Sequence, residues 1–361
     1  MKPFDPRRAR DLAIVAAIVT LAGVALADTV RNGTASERAP QPRGEAASTS
    51  VADPGGRLVL PPLRVSGRIA LTEAVGCALQ VVDTVAGRES SVPRLATSCE
   101  LWAPRVGARL AYGVRGPSGA ATRFRVVDLA NPRATFGEYA MTFGPMAWGP
   151  DGRRLAWCDS ATSGYELALG NRPARLDHCP RAYDPSGRTA YALDRNVFVG
   201  GRRLLTAGGH VDQLAFGLDG SLALVVNRQR IERYVGDRLV RATTLPRAAQ
   251  GRRLSFAPDN CAVLVTQTAV IRLIDLGCFR GRSGFTTLSI DNCTNRPRDV
   301  TLRCARYPAP RTFEGGDAAW SPDGEWIVVA DADAVVFHRV VGRYAAVRWP
   351  VAAARVAWLL G

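Results

Sequence analysis

The stretch WSPDGEWIVVA at 320–330 constrains the fold of this chain more than any other feature, because it recurs. Related segments are AWGPDGRRLAW around Trp148, AYDPSGRTAYAL around Tyr183, AFGLDGSLALVV around Phe216 and SFAPDNCAVLV around Phe256. A degenerate copy, LWAPRVGARLAYGV, surrounds Trp102. The aromatic anchors are 46, 35, 33, 40 and 64 residues apart. Each copy joins a small or apolar lead-in, an aromatic residue, a turn containing Pro or Asp-Gly, and a second apolar run. Asp-Gly supports the positive φ that a tight strand connection needs. The aromatic ring brings a large apolar area to bury between neighbouring sheets. Two further strands follow in most copies: after Trp320, EWIVVA leads to AVVFHRV, Gly342 and RYAAVRW. Four strands per unit at a period of about 40 residues are the signature of β-propeller blades. The expected fold class is all-β, a β-propeller of four-stranded blades.

The chain ends suggest how the ring closes. ARVAWLLG places Trp358 38 residues after Trp320 and stops before a turn. At the other end, RIALTEA and CALQVVDT read as second and third strands with no first strand before them. The C-terminal strand should therefore join the N-terminal blade, which removes an open sheet edge. The count is then seven blades, or six if one of the weaker copies is not a blade. The long interval after Phe256 should hold an insertion at about 277–312. WSPDG before an apolar strand, with third strands ending VVDL (126–129), LIDL (273–276) and VVDT (81–84), resembles the TolB-like propeller repeat, a WD40-like family. The resemblance spans about 57–361 and implies the architecture. It implies no activity, since such propellers serve many roles. TolB itself carries an additional N-terminal α/β domain that has no counterpart here, so its partners do not carry over.

Residues 1–11 carry Lys2, Arg7, Arg8 and Arg10, and 12–27 are an unbroken apolar or small run, LAIVAAIVTLAGVALA. This is the pattern of a signal peptide or signal-anchor helix, cleavable after Ala27 by the small-x-small rule. The run is slightly short of the ~20 residues that span a bilayer comfortably. Basic residues on its N-terminal side keep that side cytoplasmic, so residues from 28 onward are expected outside the membrane. Residues 28–56, polar and rich in small residues and Pro, read as a flexible linker, and 57–361 as the propeller.

Eight cysteines follow the export pattern: Cys77, Cys99, Cys158, Cys179, Cys261, Cys278, Cys293 and Cys304. An even number in this context favours disulfides. Cys77 and Cys158 lie near second-to-third strand connections, and Cys99 and Cys179 near the start of the next blade. Both kinds of connection share one face of a propeller, so 77–99 and 158–179 can pair. Cys261 follows a first turn and Cys278 a third strand, which share the opposite face, and Cys293 with Cys304 would staple the insertion. No Cys-x-x-Cys spacing points to zinc.

The net charge of +15 first suggests a nucleic-acid partner. Lys2 is the only lysine, however, so 46 of the 47 basic residues are arginine, and they are scattered without a basic arm. GC-rich coding accounts for such a pattern. No nucleic-acid partner is expected, though weak attraction to anionic lipid or envelope polymer is.

The only histidines are His178, His210 and His338, and no hydrolase elbow, zinc-protease motif or phosphate-cradling loop is present. His338 sits in an outer-strand pattern and reads as a surface residue, and His178 as a loop cap. First strands surround the axis of a propeller, so residues three before each anchor should line the channel: Gln213, Arg253, Asp317 and Arg355. His210 and Asp212 precede a first strand and should reach the channel mouth. Asp317 should lie close to Arg355 across the closure. These six are the candidate ligand- or partner-binding residues, with no catalytic residue, metal or cofactor among the expectations. The aspartates of the Asp-Gly turns, Asp151, Asp219 and Asp323, are dispersed one per blade, whereas calcium needs convergent oxygen ligands. They read as turn residues. The leading expectation is a non-catalytic extracytoplasmic binding or scaffold module for a cell-envelope protein or glycan, exported or held to the membrane by an uncleaved N-terminal helix. The alternatives are a propeller hydrolase or lyase working at the channel mouth, and the sensor domain of a membrane-anchored protein.

Overall fold

The computed structural model describes residues 51–52, 58–60, 63, 65, 67–88, 95–96, 99–115, 121–140, 143–245, 253–266, 270–276, 311–341 and 344–359. The expected signal segment, most of the linker, and Cys278, Cys293 and Cys304 lie outside them. Val51–Ala52, within the expected linker, pairs antiparallel with Leu58–Val59. Among the described residues no helix is long and apolar enough to cross a membrane.

Seven four-stranded antiparallel sheets follow one another, six of them meanders in sequence order and the seventh begun by the C-terminal strand. Blade 1 is formed by Ala353–Leu359, Arg68–Glu73, Ala78–Asp83 and Leu95–Ala96. Blade 2 runs from Leu101–Trp102 to Asn131–Ala140, blade 3 from Phe143–Trp148 to Ala174–Leu176, and blade 4 from Ala182–Tyr183 to Arg202–Thr206. Blade 5 runs from Val211–Phe216 to Arg238–Thr244, blade 6 from Arg253–Phe256 to Arg311–Glu314, and blade 7 from Asp317–Trp320 to Ala345–Trp349. The C-terminal strand closes the ring as its sequence suggests, with Ile69 opposite Trp358 and Arg68 opposite Leu359. One boundary shifts: Arg311–Glu314 is the fourth strand of blade 6, paired with Val270–Asp275, so the strand begins inside the expected insertion.

The repeat's turn residues do what their chemistry allows. Asp151, Asp219, Asp259 and Asp323 each accept a hydrogen bond from the backbone N–H two residues on, at 2.9–3.0 Å. Such self-capped turns explain the Asp without a metal.

Each of the seven gaps between consecutive blades holds one buried apolar cluster. Between blades 7 and 1, Phe337, Trp349, Val356 and Trp358 pack together. Between blades 2 and 3, Phe124 meets Trp157 edge to face at 4.9 Å. The cluster between blades 3 and 4 has only Ala147, Ala156 and Tyr183. Polar and covalent links concentrate there instead. Arg154 donates to Gly187 O (2.6 Å) with its guanidinium over the Tyr183 ring, and Tyr183 donates to Glu166 (2.8 Å). The Cys158–Cys179 disulfide tethers the same gap.

The second disulfide, Cys77–Cys99, is also the expected one. Cys261 is disulfide-bonded as well, to a partner outside the described residues.

Candidate functional site

The anchor aromatics fix the geometry of the axis. They end the first strands, and first strands of consecutive blades touch around most of the ring. The indole of Trp148 donates to Trp102 O of the preceding blade at 3.1 Å, and that of Trp320 to Ser255 O at 3.4 Å. The anchor therefore bonds to the neighbouring blade's backbone as well as filling space. Arginines at the start of second strands reinforce the same seams: Arg109 donates to Gly152 O (3.1 Å) as Arg154 does to Gly187 O. Part of the arginine content thus has a structural reason beyond coding bias, one hidden in the sequence because each contact joins residues of separate repeats.

The channel has two unlike ends. At the end where the first strands start, Arg253 of blade 6 reaches across the axis to Leu101 O of blade 2 and also pairs with Asp317 (3.3 Å). Arg355 of blade 1 pairs with Glu100 (3.0 Å). Asp317 is buried and accepts from Val356 N of the closing strand at 3.1 Å. Its carboxyl pKa is raised by desolvation, with Arg253 and Arg355 opposing. Asp317 and Arg355 are therefore neighbours as expected, but the direct partner of Asp317 is Arg253 and that of Arg355 is Glu100. Arg181 donates to Asp212 O (2.6 Å), joining blades 4 and 5.

The remaining expected residues are held by loops. Asp212 accepts from Arg228 N (2.7 Å), and His210, largely exposed, meets Asp194 of the preceding blade at 3.2 Å. Gln213 stands in the same first strand, Val211–Phe216. His178 bridges to Thr189 (3.1 Å) and stacks on Tyr191, which agrees with a loop-fixing role. His338 differs from its expected surface position: it is half-buried on a third strand, hydrogen-bonded to Tyr344 (2.9 Å) and tilted against Phe313. Among the described residues no group of three or more His, Cys, Asp or Glu is arranged to hold a metal ion.

The other end, where first strands turn into second strands, opens into a cavity of about 190 Å³. Trp148, Tyr183 and Phe216 line it from consecutive blades, together with Arg105, Asp184 and Leu218. Arg105, from the first turn of blade 2, reaches across to Phe256 O of blade 6 at 3.3 Å. Arg105 is exposed and lines the cavity, with protein packed near enough to its guanidinium to displace part of its water. That desolvation lowers its pKa to about 10, partly opposed by Asp219, so the guanidinium is charged at neutral pH. Burial, with the hydrogen bond to Glu166, raises the Tyr183 phenol well above its ordinary value. Asp184 is held by Ser186 and by the Arg188 side chain and backbone, and these bonds outweigh burial to lower its pKa. None of these cavity residues except the anchor aromatics has a sequence pattern of its own. Arg105 sits in the most degenerate copy, where the turn lacks Asp-Gly.

Fold and site together define a seven-bladed β-propeller whose channel is crossed by arginines. No family model matches the chain, and no curated protein matches it. The TolB-like resemblance therefore rests on the repeat residues alone, and the structure shows the propeller fold without a family. Among solved structures the chain is similar to the crystal structure of a functionally unknown protein from Desulfotomaculum acetoxidans DSM 771. The TM-score is 0.51 at 9% identity, covering 81% of this chain and 99% of that one. At this identity the likeness shows the fold alone.

Proposed function

We propose that the chain is a non-catalytic binding or scaffold module of the cell envelope, a rigid disc that receives a protein or glycan partner at the turn-side mouth of its channel. The observation that carries this reading is the cavity framed by Trp148, Tyr183 and Phe216. Aromatic rings supply large, rigid contact area at low entropic cost. The nearby acids are engaged in fixing the blades: Asp184 with Arg188, and Glu166 with Tyr183. That commitment favours recognition over proton transfer, which needs a group free to gain and lose a proton in reach of a substrate. Val106 and Leu218, 46% and 48% exposed, extend the apolar rim beside the cavity. The channel residues at the opposite end, Arg253, Asp317, Arg355 and Glu100, belong in this reading to the closure of the ring.

An extracytoplasmic setting is supported by the disulfides, which form and persist in oxidising compartments, and by the export pattern of residues 1–27. The test is recovery of a partner from crosslinked envelope fractions by the wild type, Leu218→Asp and Val75→Asp. Val75, 86% exposed, lies on a second-to-third strand connection at the opposite face. The expected result is one specific protein or glycan retained by wild type and Val75→Asp and lost by Leu218→Asp. Retention by all three, or loss only with Val75→Asp, contradicts the proposal.

A further inference from the structure

We propose that Arg105 anchors the carboxylate of a small, single-ring ligand seated in the turn-side cavity. The inference deepens the preceding reading and rests on that mouth being a binding site. A guanidinium carries five N–H donors in a planar fork, and among the described residues Arg105 spends one, on Phe256 O at a long 3.3 Å.

Its nearest carboxylate is not its partner. Asp219 acts on Arg105 only through charge. One Asp219 oxygen accepts from Ser221 N (2.9 Å) and Ser221 Oγ (2.7 Å), and the other from Arg233 (3.3 Å). Asp184, the acid lining the cavity, is engaged by Ser186 and Arg188. The cavity thus presents a cation with open donors beside acids whose oxygens are occupied, which selects an anion.

The same accounting selects among anions. A phosphate is bound where several backbone N–H groups converge or several cations cluster. Here the amides of the turns that line the cavity are already used: Gly149 N on Arg154 O (2.8 Å), Asp184 N on Arg188 O (2.9 Å), Gly217 N on Ser221 O (2.8 Å) and Leu218 N on Asn260 Oδ1 (2.7 Å). What remains is a single planar fork, which matches a planar carboxylate two bonds at a time. The rest of the lining, Trp148, Pro150, Tyr183, Pro185 and Phe216, is ring-shaped and largely apolar. At about 190 Å³ the space is below the ~300–1,000 Å³ of sites for drug-sized molecules. One ring with its carboxylate is the ligand class that fits, from either of two sources: an acidic sugar or an aromatic acid.

The experiment is calorimetric titration of the full chain at neutral pH with two matched pairs, glucuronate against glucose and benzoate against benzyl alcohol. It is repeated on Arg105→Gln and Arg105→Lys, each checked by thermal unfolding to retain the wild-type fold, because the side chain also bonds Phe256 O across the axis. The expected result is that the acid of at least one pair binds about 10- to 100-fold tighter than its neutral partner, the range for a charge-assisted hydrogen bond. Arg105→Gln should abolish that preference, and Arg105→Lys, a point charge without the fork, should keep part of it. A preference confined to glucuronate identifies the acidic sugar, and one confined to benzoate the aromatic acid. Equal binding of acid and neutral partners overturns the inference while leaving the mouth a binding site. A preference that survives in Arg105→Gln, or no binding by either acid, also overturns it, and the partner recovery with Leu218→Asp then decides the broader reading separately.

Discussion

Replacing Gly67 by Ala tests the ring closure at the level of single atoms. Gly67 has φ +137°, and a Cβ built there would stand 2.6 Å from Trp358 Nε1 and 2.9 Å from Leu359 O. Both atoms belong to the closing strand, paired with Arg68–Glu73. Gly67 cannot turn away cheaply, because its carbonyl accepts from Thr84 N (3.1 Å) and Thr84 Oγ1 (2.8 Å). The backbone conformation costs an L-residue about 1–3 kcal/mol, and overpacking costs about 1–3 kcal/mol more. The sum is about 2–6 kcal/mol, or a fall in Tm of about 4–12 °C at roughly 2 °C per kcal/mol for a large domain. Gly76→Ala is the control. Gly76 also has a positive φ (+82°), but a Cβ there would meet nothing within 4 Å. Its cost is about 1–2 kcal/mol. Both variants are measured by thermal unfolding at one scan rate with the disulfides intact. Equal shifts for the two would refute the packing of the closing strand against Gly67.

Two other outcomes are expected. Cys158→Ser with Cys179→Ser opens a loop of 21 residues, worth about 3 kcal/mol. Hydrogen exchange in this double variant should rise first in Gly164–Ala168 and Ala182–Tyr183, because that seam has the smallest apolar cluster. A uniform rise over all blades would show that the seams are equal. Stability should also fall as pH rises above about 10. Desolvation raises the pKa values of Tyr112, Tyr139, Tyr183, Tyr191 and Tyr234, with bonds to Glu166 and Glu232 adding to it for Tyr183 and Tyr234. The unfolded chain then releases these protons first, so stability present below its tyrosine pKa is lost toward the raised folded values. Melting curves from pH 9 to 11 should be flatter for Tyr183→Phe with Tyr234→Phe, and an unchanged slope would contradict the assignment.

The blades were legible because each repeat carries its own turn chemistry and anchor, so Trp102, Trp148, Tyr183, Phe216, Phe256 and Trp320 mark first strands without reference to one another. Closure was legible from the unfinished strand at Trp358. The pairings 77–99 and 158–179 followed from which connections share a face. What remained hidden depends on distances between repeats. Arg253 meets Leu101 and Arg105 meets Phe256 across the axis, and no local pattern announces either contact. Arg311–Glu314 carries no turn signature that separates it from the preceding segment. His210 and Asp212 were expected at the channel mouth from their position at a first strand, and no local pattern announces the bonds they make, His210 with Asp194 of the preceding blade and Asp212 with Arg228 N. The cavity was missed because its floor is made of anchors read individually as blade markers, and its cation lies in the copy least like the others.

The most direct test of the account is site-specific photocrosslinking in intact cells, with the reactive amino acid placed at Leu218 on the turn-side rim or at Val75 on the opposite face. Both positions are exposed, 48% and 86%. The account predicts one discrete adduct from position 218, competed away by the ligand class that fits the cavity, and none from position 75. An adduct from position 75 alone, or from neither position, would contradict recognition at the turn-side mouth.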